Sequence, residues 1–268
     1  MTAIELRGVT KRFPTADGGT FTALKDLDLT VAEGEFCAVV GPTGCGKSTT
    51  LTLVSGLEQP SGGQVLVNDR PVTGIDPSTG FVFQQDAVFP WKTVLDNVCA
   101  GPVFRGMGKA DARVQARDWL RRVGLTGFED RYPHQLSGGM RKRVALAQTL
   151  INQPKVLLMD EPFSALDVQT RSIMSTELLS LWDLTQPAVV FVTHDLEEAI
   201  ALADKVVVLT AGPGTVKAEF AIELPRPRVV QEIRFDSRFV ALYEHIWEAL
   251  RSEVEQAYAR STGVKAAA

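Results

Sequence analysis

The chain has 268 residues, 45% hydrophobic and 22% charged, the balance of a folded globular protein with room for one large domain and an inserted subdomain. Its formal charge of −4 excludes a simple nucleic-acid binder, which needs a basic excess to neutralise phosphate backbones. No run approaches the roughly 18 consecutive apolar residues of a membrane span, and the N-terminus lacks the apolar stretch of a signal peptide, so membrane association is expected only through a partner.

Residues 3 to 35 alternate apolar and polar side chains in "AIELRGVTKRF" and "TFTALKDLDLTV", with "PTADGG" as the turn between them. That pattern predicts antiparallel strands at an edge of the domain. "FCAVVG" is an unbroken apolar run suited to a strand buried on both faces, and it leads into "GPTGCGKST" at 41–49 and a helix over "KSTTLTLVSGL". "GQVLVN" and "GFVFQQ" predict further short strands. From about Val94 to Gln153 the apolar spacing turns helical, which predicts an inserted helical subdomain over about 90–153. Strand-like runs return as "KVLLMD", "AVVFVTH" and "DKVVVLT", separated by helical stretches. The alternation predicts an α/β fold with a mainly parallel central sheet and an N-terminal antiparallel β-subdomain. Residues 1–225 form the expected main domain and 226–268 a C-terminal helical extension. In that extension Phe239, Leu242, Tyr243, Ile246, Trp247, Leu250 and Val254 recur at helical spacing and are expected to pack on the body of the domain, while the tail "STGVKAAA" is expected to fray. Cys37, Cys45 and Cys99 have no ligand-like spacing and read as reduced thiols of a cytosolic protein.

Gly41, Gly44, Gly46, Lys47 and Ser48 match G-x-x-x-x-G-K-[ST] in full, with Pro42, Thr43 and Cys45 between them and Thr49 after. Glycines let backbone N–H groups curl round an anion, and the following helix offers its positive end. Lys47 is expected to reach the β- and γ-phosphates of a nucleotide, and the Ser48 hydroxyl to ligate Mg²⁺. "VLLMDEP" ends an apolar strand in two acids, which are costly there unless something pairs with them. A metal-bound nucleotide does so, with Asp160 binding Mg²⁺ directly or through its water and Glu161 polarising the attacking water. Gln84 and His194 end strands in the same way, and open parallel sheets bind ligands at their carboxyl ends. In "QLSGGMRKRVALAQTLI", Ser137, Gly138 and Gly139 open a helix and form a second anion site. One nucleotide has one terminal phosphate, so two such sites in one chain predict a head-to-tail dimer with each nucleotide held between facing copies.

The order of phosphate loop, Gln84, "LSGGM", "VLLMDEP", "SALD" and His194 resembles the ATP-binding-cassette ATPases over about residues 3 to 210. The resemblance implies an ATPase subunit that pairs, with an identical copy or a relative, around two ATP molecules and drives a membrane transporter. It implies that Phe13 stacks on adenine, where tyrosine is commoner, and that Asp167 lies in a loop crossing the dimer interface. Glu161 would then be the general base, His194 a γ-phosphate contact, and Gln84 a further Mg²⁺ ligand and γ-phosphate sensor. The family signature ends in glutamine, whereas Met140 stands here and offers no polar contact. The helical block resembles the subdomain that receives a coupling helix from the permease; Phe89, Pro90 and Trp91 are either the apolar floor of that groove or core.

"QQDAVFPWKTVLDNV", "LPRPR" and "YEHIWEAL" are similar to the branch of importers for nitrate, sulfonates and taurine. The implied partners are a paired ATPase subunit, transmembrane permease subunits and, indirectly, an extracytoplasmic solute-binding protein, at the cytoplasmic face of the membrane. An exporter subunit and a soluble cluster-assembly ATPase remain as alternatives; a monomeric P-loop kinase leaves "LSGGM" unexplained.

Overall fold

The computed structural model describes residues 1–262. In chain order the strands are β1 (Thr2–Pro14), β2 (Thr20–Ala32), β3 (Phe36–Val40), β4 (Gly62–Val67), β5 (Arg70–Pro71), β6 (Thr79–Val82), β7 (Val156–Asp160), β8 (Ala188–Val192), β9 (Lys205–Leu209) and β10 (Val216–Ala221). The helices are α1 (Lys47–Val54), α2 (Val94–Phe104), α3 (Lys109–Arg122), α4 (Gly138–Leu150), α5 (Val168–Thr185), α6 (Leu196–Leu202), α7 (Val230–Ile233) and α8 (Ser237–Thr262). They form two compact units, one of residues 1–76 with 186 onward, the other Pro77–Thr185.

In the first unit the alternating N-terminal segments pair as the antiparallel sheet β2-β1-β4-β5. Leu6 faces Leu29 in register, and both are buried. β3 pairs in parallel with β8 on one side and β9 on the other, and β10 closes that edge antiparallel to β9. Every residue of β3 and β8 is buried, which is why both read as continuous apolar runs instead of alternating ones. The rings of Phe36 and Phe191 meet at 5.8 Å between these strands.

The second unit carries the parallel pair β6–β7 and helices α2 to α5. Thr93 caps α2 by accepting the Asp96 N–H, and Asp96 in turn pairs with Arg113 of α3 at 2.8 Å. Helix α3 buries Ala112, Ala116, Trp119 and Leu120, a stripe at the helical spacing read from the sequence.

Several segments depart from the sequence reading. The strand expected over "GFVFQQ" stops at Val82, leaving Phe83 and the two glutamines in a loop. Strand β10, the two-residue β5 and the short α7 were not expected; β10 alternates half-buried and exposed residues, an edge-strand pattern inside a glycine- and proline-rich stretch. In α8 the apolar stripe divides. Phe239, Ile246 and Leu250 are buried and Leu242 and Tyr243 half-buried, whereas Trp247 and Val254 are exposed and Glu253 is buried in their place. Helix α8 contacts α6, β9 and β10. At roughly 100° per residue Glu253, Ile246, Phe239 and Leu250 form a strip about 60° wide that these elements cover, and Val254 and Trp247 lie on one edge of the wider apolar stripe, outside it. Ser261 and Thr262, placed in the fraying tail by the sequence reading, continue α8, and residues 263–268 of that tail lie outside the described residues. The three cysteines are buried thiols, and burial pushes Cys37 up to about 12.

The division of α8 has a measurable consequence. Ile246 is fully buried, so Ile246→Ala is expected to lower unfolding stability by about 2–4 kcal/mol. Trp247→Ala, the larger truncation on the half-exposed face, is expected to lower it by about 1 kcal/mol or less. Urea unfolding of both variants checks the assignment, and a reversed ranking contradicts it.

Candidate active site

In the first unit the site is organised by strand β3. The glycine loop follows Val40 directly, and His194 follows the neighbouring β8, whose Val192 pairs with Val39. The Thr193 N–H donates to the Val39 carbonyl at 3.3 Å, so both segments leave one edge of the sheet side by side. Gly44 and Gly46 have φ of 81° and 98°, a backbone region that side chains disfavour. At Gly46 a Cβ would also lie 2.5 Å from Leu24 Cδ2 and 3.0 Å from the Ala23 carbonyl. No atom lies within 4 Å of a Cβ built at Gly44, and Thr43, Gly44 and Ser48 are exposed. The inner side of the loop is therefore packed and its rim is open, while Gly41, Pro42 and Cys45 are buried and Thr49 is half-buried.

Lys47 is 7% exposed, and its Nζ donates to the carbonyls of Gly41 at 2.7 Å and Pro42 at 3.0 Å. Among the described residues no carboxylate pairs with it. A nearly buried ammonium ringed by carbonyl oxygens leaves its charge uncompensated, and an anion at the mouth of the loop would complete it. Cys45 Sγ lies 4.0 Å from Nζ, but burial pushes this thiol up, so it adds no negative charge. Phe13, near the end of β1, is half-buried with the Lys11 ammonium 4.9 Å from its ring centroid. One ring face is thus occupied, and stacking on a base needs the other.

His194 is exposed, and the helix that follows it is fixed at both ends. Asp195 caps α6 by accepting the Glu198 N–H at 3.2 Å. At the other end the buried Arg228 guanidinium donates to the Ala203 carbonyl at 2.6 Å and the Leu224 carbonyl at 3.0 Å, while Arg226 reaches Leu202 O and Asp204. The sequence reading used "LPRPR" only as a resemblance; its arginines cap the C-terminal end of α6. Burial lowers Arg228 to about 10, which still leaves it charged at neutral pH.

In the second unit, β6 and β7 run parallel with Val82 opposite Met159, so Gln84 and the acids Asp160 and Glu161 leave together. Gln84 Nε2 donates to Glu161 Oε2 at 3.4 Å. Glu161 has φ of 41°, and its carbonyl accepts the Ser164 N–H at 3.2 Å and hydroxyl at 3.0 Å. Ser137 caps α4, its Oγ accepting the Met140 N–H at 3.3 Å. Gly138 and Gly139 pack close to Leu166 and Thr170; a Cβ at Gly139 would be 3.2 Å from Thr170 Cγ2. Asp167 stands exposed at the start of α5, accepting the Thr170 N–H at 3.0 Å, and that hydrogen bond holds its carboxyl below the usual range. Ser137, Gly138, Gly139 and Asp167 thus form one exposed-to-half-buried cluster.

The sequence reading missed the ion cluster that ties α4 to the glutamine loop. Asp86 lies 3.0 Å from Arg141 Nε and 3.0 Å from Lys142 Nζ, and the same Nζ donates to the Gln84 carbonyl at 2.6 Å. A signal was present: Arg141 and Lys142 sit near the N-terminus of a helix, where the macrodipole disfavours cations, so each needs an acid partner from elsewhere. Nearby, a groove of about 280 Å³ is lined by Phe81, Phe83, Phe89, Phe104 and Ala145 among others. Buried Asn97 fixes the Phe89 backbone on both its N–H, at 2.7 Å, and its carbonyl, at 3.1 Å. Of the three residues expected either as the groove floor or as core, only Phe89 lines this groove; Pro90 and Trp91 do not, and Trp91 is 72% exposed.

Comparison with known proteins gives a consistent outcome. Residues 24–164 match the family model described as ABC transporter. An uncharacterised ABC transporter ATP-binding protein of Methanocaldococcus jannaschii is 47% identical over 232 residues, covering 87% of this chain and 86% of the relative. The taurine import ATP-binding protein TauB of Burkholderia pseudomallei is 41% identical over 242 residues, covering 89% and 93% respectively. Among solved structures, the dimeric post-hydrolysis state of the ATP-binding cassette MJ0796 bound to ADP and Pi superimposes with a TM-score of 0.73 at 32% identity, over 83% of this chain and 100% of that one.

The Asp86 cluster is testable without a nucleotide. Lys142 has a side chain only 5% exposed, so Asp86→Ala leaves a buried ammonium without its acid and is expected to lower stability by about 3 kcal/mol in urea unfolding. Asp86→Asn, which keeps an acceptor, is expected to lose less.

Proposed function

Because the chain belongs to the ABC transporter family, we propose that it is the ATP-hydrolysing subunit of an importer for a small solute, in the class of nitrate, sulfonates or taurine. The observation that carries the nucleotide part is Lys47, a nearly buried cation inside an open-rimmed glycine loop at the C-terminal end of β3. Support for the solute class is the 41% identity to a taurine import protein. No described helix is long and apolar enough to cross a membrane, so the proposed place at the cytoplasmic face of the membrane rests on permease partners. The groove at Phe89, lined by aromatic rings together with Arg105, Gln148 and Asn152, is the surface proposed to receive them.

In this mechanism the loop amides of residues 43–49 and Lys47 hold the phosphates, and Phe13 presents the ring face opposite Lys11 to the adenine. The hydroxyl of Ser48 in the first unit and, in the second, the carboxylate of Asp160 and the amide oxygen of Gln84 are hard oxygen donors of the kind that would hold Mg²⁺. When bound, that ion supplies charge neutralisation for the phosphates. Glu161 takes the proton of the attacking water, with the Gln84 amide orienting its carboxylate. His194 holds the water and γ-phosphate in line. Ser137 and the backbone of Gly138 and Gly139 serve the nucleotide of a second copy, and Asp167 lies at that interface. Met140 already commits its N–H to Ser137, so the cap geometry survives the loss of glutamine at that position. ATP binding then closes the pair, and hydrolysis reopens it.

Glu161→Gln is expected to bind ATP normally, accumulate as a dimer in size-exclusion chromatography with light scattering, and lose turnover by a factor on the order of 10²–10⁴. Retained turnover in that variant would remove Glu161 from its role. Lys47→Ala is expected to weaken ATP affinity at least about tenfold, the worth of one charge-assisted phosphate contact, read by fluorescent-nucleotide titration. Co-purification with a multi-span membrane protein, and stimulation of ATP turnover in that assembly by a taurine- or nitrate-loaded binding protein, tests the importer reading; soluble partners alone would favour cluster assembly.

A further inference from the structure

Helix α8 lies outside the segment that carries the nucleotide motifs, yet its last turns grip the backbone beside the phosphate loop. Glu253 is a carboxylate at 6% exposure, and such a group needs compensation. It receives it from Lys217 Nζ at 2.6 Å and from the Ala211 N–H at 2.8 Å. Burial alone would raise this carboxyl; the Lys217 and Ala211 hydrogen bonds outweigh it and hold the group below its usual range, so it is charged at neutral pH. Two turns further on, Arg260 Nη1 donates to the carbonyls of Ala211 at 3.0 Å and Gly212 at 2.6 Å. The short loop from Thr210 to Thr215 is thus held by α8 through both its donors and its acceptors.

That loop has no slack on its other side. Its ends close on each other through the Thr210 N–H to the Thr215 carbonyl at 3.0 Å, and Gly214 exchanges hydrogen bonds with β2, donating to Ala23 O at 2.8 Å and accepting from Lys25 N at 3.0 Å. A Cβ at Gly214 would stand 2.0 Å from the Cys45 carbonyl, and one at Gly212 would stand 3.9 Å from the Gly44 carbonyl. The Gly214 backbone therefore packs directly on that of Cys45, with Gly212 in ordinary contact with Gly44, while the Ala23 carbonyl and the Leu24 side chain press Gly46 from β2. The amides that face a phosphate keep their aim only while both walls stay in place.

We propose that α8 is a positioning element of the nucleotide site, with Glu253 and Arg260 as positioning residues that set the phosphate loop through residues 211–214. The helix then tunes nucleotide affinity from outside the cassette motifs, and anything that displaces its last turns weakens ATP binding.

The test uses the full chain, with ATP as substrate, and compares Arg260→Ala, Arg260→Lys and, as a control on the same helix, Arg251→Ala, whose exposed side chain pairs only within α8 with Glu255. Arg260→Ala is expected to raise KM for ATP at least threefold with kcat changed less than twofold, and to accelerate amide hydrogen exchange over residues 43–47. Arg260→Lys, which can still reach one carbonyl, is expected to recover most of the loss, and Arg251→Ala to match the parent. The proposal is overturned if Arg260→Ala leaves KM unchanged, if KM rises without faster exchange over residues 43–47, or if Arg251→Ala reproduces the effect. Because Arg260 is exposed and donates only to loop carbonyls, its truncation leaves the buried face of α8 intact.

Discussion

Parallel pairing of β3 on both of its sides is the constraint from which the candidate site follows. A strand with neighbours left and right has no freedom to tilt its end, and one whose five residues are all buried has no freedom to slide. The loop that leaves Val40 therefore starts from a fixed point, next to the fixed point from which His194 leaves β8. The glycines then do what only glycine does at Gly44 and Gly46, turning the chain through left-handed backbone while β2 presses from one side.

In the second unit the equivalent organising force is electrostatic. Two carboxylates at the end of β7 and a glutamine after β6 would be a poor place to leave polar groups without partners, and the Gln84–Glu161 hydrogen bond answers part of that demand. The glutamine loop is in turn anchored through Asp86 and Lys142 to α4, the helix that carries Ser137, Gly138 and Gly139. A rotation of α4 must therefore move the backbone of Gln84 or break a nearly buried ion pair. Asp86 and Lys142 thus tie the position of the glutamine loop to that of the helix carrying Ser137.

What was legible in the sequence is what depends on neighbours in sequence. The glycine loop, the strand end at Asp160, the alternation of β1 and β2, and the amphipathic spacing of α3 are all local, and each is found where the pattern placed it, while β8 stops at Val192, two residues short of His194. What escaped depends on partners far along the chain. Strand β10 is an edge strand whose register is set by β9, so its own pattern is weak. Glu253 is not among the apolar residues of the stripe read from the sequence, and its buried partners Lys217 and Ala211 lie some forty residues earlier. Arg228 read as half of a motif, and only the free carbonyls at the end of α6 explain why a guanidinium is buried there. Trp247 and Val254 failed in the opposite direction, since helical spacing tells that a residue shares a stripe without telling how wide the covering surface is.

The backbone of Glu161 bears on how this chain balances durability against chemistry. A φ of 41° is left-handed territory that glycine and asparagine occupy at least expense, and a glutamate held there stores strain of order 1 kcal/mol or more. A chain selected only for thermal endurance would carry a different residue at 161. On the proposed role of Glu161 as general base, this turn is a point at which gains in robustness and loss of turnover would be bound to the same substitution.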